Sequence, residues 1–96
     1  MKKDEKGNVI SYDIVTQTHA CLDNVKFVLK EAGLGLEDVI DIQVFLTNIE
    51  NDFKEFNKCY AEYFRAEDGP SRTTVGVIGL PTTIHIEFKV IAALRA

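Results

Sequence analysis

Gly69-Pro70-Ser71-Arg72-Thr73-Thr74-Val75-Gly76-Val77-Ile78-Gly79-Leu80-Pro81, followed after one residue by Thr83-Ile84-His85-Ile86-Glu87-Phe88-Lys89-Val90-Ile91-Ala92, is the stretch on which the fold turns. In its second part apolar residues recur at every other position (Ile84, Ile86, Phe88, Val90, Ala92), the period of an extended chain with one buried face. His85, Glu87 and Lys89 then fall on the other face. In the first part Thr73, Val75 and Val77 share a face, so Arg72 and Thr74 point the opposite way. With Gly79 and Pro81 turning the chain between them, the reading is two strands closing as a hairpin. Paired antiparallel, they would open Arg72 and Glu87 onto a common cavity. A guanidinium holds a small carboxylate through two parallel hydrogen bonds while a nearby carboxylate orients or deprotonates a water, a hydrolytic chemistry that uses no metal. From spacing alone, a surface ion pair on a solvated sheet face is the commoner outcome.

Upstream the period changes. Ile14, Thr18, Cys21, Leu22, Val25, Val28, Leu29 and Ala32 recur at helical intervals, with Asp23, Lys26 and Lys30 opposite. Asp13 is the expected N-cap and Gly33 the expected stop of an amphipathic helix lying across a sheet. His19, at the edge of that stripe, reads as a partly buried structural histidine. Val39 to Asn48 predicts a strand with Ile40, Ile42, Val44 and Leu46 toward the helices. Its other side, Val39, Asp41, Gln43, Phe45 and Thr47, is mixed in the way an oligomer interface is. Asp52 is expected to cap a second helix, with Glu55 completing a capping box. That helix carries Phe53, Phe56, Asn57, Tyr60 and Phe64 along one side, and the amide of Asn57 needs a partner there. Met1 to Ser11 reads as a charged tail with a turn at Lys6-Gly7-Asn8 and a short extended stub, Val9-Ile10. Helix, strand, helix, strand, strand is an α+β order, helices packed on one face of a mixed sheet.

Pro70 with Ser71-Arg72-Thr73-Thr74-Val75, then Leu80-Pro81 and a closing Ile86-Glu87 strand ending in alanines, resembles the C-terminal signature of the reactive intermediate deaminase (Rid, or YjgF) family. Ala32-Gly33-Leu34, Leu36-Glu37-Asp38-Val39, Val44-Phe45-Leu46, Asp52-Phe53, Asn57, Tyr60 and Tyr63-Phe64 follow that family's order, so the resemblance runs from about Gly7 to the end. It implies a chorismate-mutase-like α+β fold, assembled as a homotrimer with pockets between subunits. It also implies an N-terminally shortened chain, because the family's first hairpin, with its pocket tyrosine and Ser-Gly pair, has no counterpart in Met1 to Ser11. The implied reaction is hydrolysis of imine or enamine acids, of the 2-iminobutanoate or 2-iminopropanoate type, to a keto acid and ammonia. Arg72 would hold the substrate carboxylate, Glu87 would position the water or relay its proton, the Thr74 backbone would help place that water, and Asn57 would lie near the pocket as a secondary candidate. Thr74 stands where many members have cysteine, and Lys89 where they usually have an apolar residue. Two alternatives follow from the same resemblance: a 2-aminomuconate deaminase, whose wording is similar to Gly69 to Val75, and a non-catalytic small-molecule-binding or chaperone-like trimer. The ribonuclease activity assigned to some members fits least well with an acidic chain lacking a basic aromatic groove.

Composition agrees with one domain, residues 1–96. The chain is 46% hydrophobic and 27% charged with a formal net charge of −4, so the lysines are scattered in an acidic background and no nucleic-acid footprint is expected. No apolar run reaches membrane-spanning length and no hydrophobic region follows the charged start, from which a cytoplasmic protein without a membrane partner is expected. Cys21 and Cys59 have no histidine at ligand spacing and read as buried free thiols, a disulfide or metal site being the minor alternative; no metal or cofactor is expected at the candidate site.

Overall fold

A computed structural model describes residues 2–3, 9–10, 12–81 and 84–93; the turn expected at Lys6-Gly7-Asn8 lies outside them. Lys2–Lys3 (β1) and Val9–Ile10 (β2) pair antiparallel as a separate two-stranded ribbon, where a tail and a single stub were expected. The body follows: helix α1 (Ile14–Glu31), strand β3 (Val39–Leu46), helix α2 (Ile49–Tyr63), strand β4 (Ser71–Gly76) and strand β5 (Ile86–Ala92).

α1 starts where the sequence places it. The Asp13 carboxylate accepts from the backbone N–H of Val15 at 3.0 Å and from the Thr16 hydroxyl at 3.1 Å, satisfying one of the orphan donors of the first turn. Its apolar stripe buries Ile14, Thr18, Leu22 and Leu29, but Val28 is 57% exposed and does not join it. Gly33 ends the helix at φ +78, a conformation that costs a residue with a Cβ about 1–2 kcal/mol. A Cβ there would meet no atom within 4 Å, so Gly33→Ala is expected to lower the Tm through backbone conformation alone, by a stability loss of about that size.

The sheet is not a hairpin built on β4 and β5. Its order is β4-β3-β5, with β4 parallel and β5 antiparallel to the central strand. The parallel pair follows from the intervening helix, because β3-α2-β4 is a crossover unit and only such a connection returns the chain in the same direction. The segment after β4 then crosses the end of β3 to the far edge. It is tied there by Val77 N–H donating to the Leu46 carbonyl (2.9 Å) and Thr47 N–H donating to that of His85 (3.1 Å). Both helices lie on one face, over a core of Ile42, Val44, Leu46, Phe56 and Ile86, none of which is exposed. The observed class is α+β with two helices on a mixed sheet, as expected.

Two local expectations change. The register of β3 against β5 shifts between Val39 and Asp41, so Val39 is buried while Ile40 turns outward and is 55% exposed. A bulge inserts one residue and reverses the alternation beyond it. α2 begins at Ile49, so Asp52 is one turn inside rather than at the cap, and Asn48 occupies the cap without a side-chain bond. Asp52 is instead buried, accepting from the Tyr12 hydroxyl at 2.6 Å and from the Asn51 amide at 2.9 Å. Its carboxylate thus ties the chain before α1 to α2.

Candidate functional site

β4 alternates as read. Arg72 and Thr74 are half-buried while Ser71, Thr73 and Val75 are exposed. In register they stand beside Ile42 and Val44, whose side chains lie under the helices, so Arg72 and Thr74 point to the helix side. On α2, Phe53, Phe56, Asn57 and Tyr60 are spaced three and four apart and share one face. The two elements meet there: Arg72 Nη1 donates to Asn57 Oδ1 at 2.7 Å, and the guanidinium carbon lies 4.6 Å from the Tyr60 ring centre, 5.5 Å from Phe56 and 5.9 Å from Phe53. The amide partner that Asn57 needs is therefore Arg72, although Asn57 itself is exposed.

Three ring faces and one amide hold the guanidinium in place, each cation–π contact contributing about 0.5–2 kcal/mol according to its desolvation. Burial pushes the Tyr60 phenol up, and the Arg72 charge partly offsets that. Among the described residues no carboxylate pairs with Arg72. A guanidinium so oriented has the geometry to take a small carboxylate through two parallel hydrogen bonds. Two residues along the same face, Thr74 Oγ1 is buried without a hydrogen-bond partner among the described residues.

Glu87 is elsewhere. On β5, Ile86, Phe88 and Val90 face the helices, and Glu87, Lys89 and Ile91 are exposed on the other side, with Glu87 in register with Phe45. Arg72 and Glu87 therefore lie on opposite faces and on opposite edges of one sheet. The common cavity expected from antiparallel pairing of their strands does not form within a single chain, because β3 separates them. Among the described residues no helix covers the face bearing Glu87, which mixes Gln43, Phe45, Thr73, Val75, Lys89 and Ile91.

His85 departs from the solvated face expected of it. It precedes β5, its ring stacks on Tyr12 at 3.6 Å between centres, its Nδ1 lies 2.8 Å from Thr47 Oγ1, and its backbone N–H donates to Gln17 Oε1. Cys21 and Cys59 are both free, and burial pushes both thiols up, with Glu87 adding to the effect at Cys21 and Glu62 at Cys59. Both are expected to alkylate more slowly at neutral pH than an unhindered thiol, measured by iodoacetamide labelling and mass spectrometry.

A family described as Endoribonuclease L-PSP matches residues 2–94. The chain belongs to that family, the Rid proteins. Its relatives include a RutC family protein of Pyrococcus abyssi, 41% identical over 92% of this chain and 68% of the relative. Among solved structures, this Rid chain resembles YyfA of the conserved Rid protein family from Yersinia pestis, with a TM-score of 0.81, 36% identity, and 94% and 71% of the two chains covered. It also resembles Escherichia coli TdcF with bound serine, with a TM-score of 0.79, 33% identity, and 94% and 72% covered. The Rid chain thus spans about two thirds to seven tenths of the length of these relatives. Membership and the YjgF fold are what the resemblance in the Arg72 and Glu87 strands implied.

Proposed function

We propose that this Rid chain hydrolyses small imine or enamine acids, of the 2-iminobutanoate or 2-iminopropanoate type, to the keto acid and ammonia. The observation that carries the reading is the Arg72 guanidinium, held by Asn57 and three aromatic rings and left without an acidic partner among the described residues. A substrate carboxylate would complete it through two charge-assisted hydrogen bonds. The imine carbon beyond that carboxylate would then lie toward Thr74, whose strand supplies backbone groups that help place a water. Water adds to the C=N carbon, its protons pass to nitrogen, and ammonia leaves as the carbonyl forms. The serine bound by TdcF is itself a small amino acid, a guest of similar size that carries the same α-carboxylate.

Glu87 enters from another copy of the chain. One sheet turns Arg72 and Glu87 to opposite sides, so a pocket containing both requires two subunits, and the mixed, uncovered face that carries Glu87 is the surface through which they would meet. A homotrimer with interfacial pockets, working in the cytoplasm without a cofactor, is the assembly this reading takes from the family. The test is ammonia release from 2-iminobutanoate generated in situ. Release well above the buffer rate, lost in Arg72→Ala, is expected; equal rates for wild type, variant and buffer would refute the enzymatic reading. Loss of 2-aminomuconate absorbance, run in parallel, identifies the narrower 2-aminomuconate deaminase if that substrate is strongly preferred.

The separation of Glu87 from Arg72 favours one second reading, a chaperone-like or small-molecule-binding trimer without turnover. Keto acids would then raise the Tm of the wild type but not of Arg72→Ala, while ammonia release stayed at the buffer rate.

A further inference from the structure

Away from Arg72, the flank of α2 that meets α1 gathers a different set of side chains. His19 of α1 and Cys59 and Glu62 of α2 bring one ring nitrogen, one sulfur and one carboxylate oxygen within 4.8 Å of one another. Cys59 and Glu62 are three apart on their helix and so share its surface, but His19 comes from forty residues earlier, and only the packing of the two helices unites them.

The hydrogen bonds around His19 decide which of its nitrogens is available. Tyr63 has a single hydroxyl hydrogen, and it goes to Asp23 Oδ1 at 2.9 Å, since a carboxylate only accepts. His19 Nδ1 lies 2.8 Å from the same phenol oxygen and must therefore be the donor. In the neutral ring the lone pair is then on Nε2, which faces Glu62 Oε2 at 3.7 Å. A histidine whose Nδ1–H is held through a phenol to a carboxylate, leaving Nε2 bare toward Glu62, has the outer support that metal-bound histidines have. Asp13 and Glu55 add negative field at Cys59.

We propose that His19 Nε2, Cys59 Sγ and Glu62 form a three-ligand site for a zinc-class divalent cation, with a fourth position open to water. One nitrogen, one thiolate and one carboxylate suit the borderline-soft zinc ion, and three protein ligands with an open position is a common arrangement for it. Binding deprotonates the Cys59 thiol, the proton leaving to solvent. At metal–ligand lengths of about 2.0–2.3 Å, a tetrahedral centre needs its ligand atoms roughly 3.3–3.6 Å apart. His19 and Glu62 are at that separation within a fraction of an ångström. The Glu62 side chain, 64% exposed, is free to change rotamer as the ion binds, and the three ligand atoms start within 4.8 Å of one another.

Cobalt(II) titration of the metal-stripped full chain, with a phosphine as reductant, tests this. Expected is a thiolate-to-cobalt charge-transfer absorption that saturates at one ion per chain and is displaced by zinc. It should vanish in Cys59→Ser and persist in Cys21→Ser. Glu62→Gln, at an exposed position that cannot perturb the core, and His19→Gln should each weaken binding at least tenfold. Tyr63→Phe, which removes only the group that positions the His19 ring, should cost about 10–100-fold in affinity. The absence of the band in wild type, its survival in Cys59→Ser, or unchanged affinity in both His19→Gln and Glu62→Gln would overturn the site. None of these readouts depends on deaminase activity.

Discussion

Mixing chains that carry Arg72→Ala with chains that carry Glu87→Gln, each inactive by itself, is expected to restore deamination. Alone, Arg72→Ala removes two charge-assisted hydrogen bonds of about 1.5–3 kcal/mol each, a loss on the order of 10²–10⁴ in kcat/KM. Glu87→Gln removes an acid–base group whose contribution is on the order of 10²–10⁴. Arg72 faces Asn57 and Tyr60 beneath the helices while Glu87 stands on the far side of the same sheet, so under the proposed function one intact pocket would draw on two chains. In a ring assembled at random from equal parts, about a quarter of the pockets pair an intact arginine with an intact glutamate. Co-refolding the two variants and measuring ammonia release should therefore recover about a quarter of the wild-type rate, an increase of tens of fold or more over either parent. Parents that are inactive with no recovery on mixing would mean that the two groups do not meet across subunits.

Phe56→Ala is expected to produce the largest loss of stability. Phe56 is fully buried, its ring lies 5.9 Å from Tyr60 and 6.1 Å from Phe88, and it joins α2 to β5 across the core. Truncating such a residue costs about 3–5 kcal/mol, against a total of roughly 5–15 kcal/mol for a small domain. Urea unfolding should show a lower midpoint at an unchanged slope, with Phe56→Leu falling between. Phe56 is also one of the rings beneath Arg72, so substrate KM should rise in Phe56→Leu while the fold persists. A midpoint unmoved in Phe56→Ala would contradict the core described above.

Within each element the chain spelled out its own geometry. The 3.6-residue stripe from Ile14 to Leu29, the Asp13 cap and the Gly33 stop were all legible, as was the alternation that sends Arg72 and Thr74 to one side of β4. The family wording around Arg72 and Glu87 carried the fold class with it. Where local signals misled, a longer-range partner had intervened. Asp52 has the form of a cap, yet its carboxylate is taken by Tyr12, forty residues away, and the helix starts a turn earlier. Ile40 belongs to an apolar alternation that the bulge beside it breaks.

The sequence by itself determined the two long helices, the three strands of the main sheet and most of the facing within them, because those depend on the local period of the backbone. Only the tertiary structure decided that β3 lies between β4 and β5, that Arg72 and Glu87 look away from each other, and that His19 meets Cys59 and Glu62. Alternation says which residues share a side of one strand, but not which neighbour that strand will choose. That choice rests on pairing between segments distant in the chain, fixed here by the α2 crossover and by burial of the helices on a single side of the sheet.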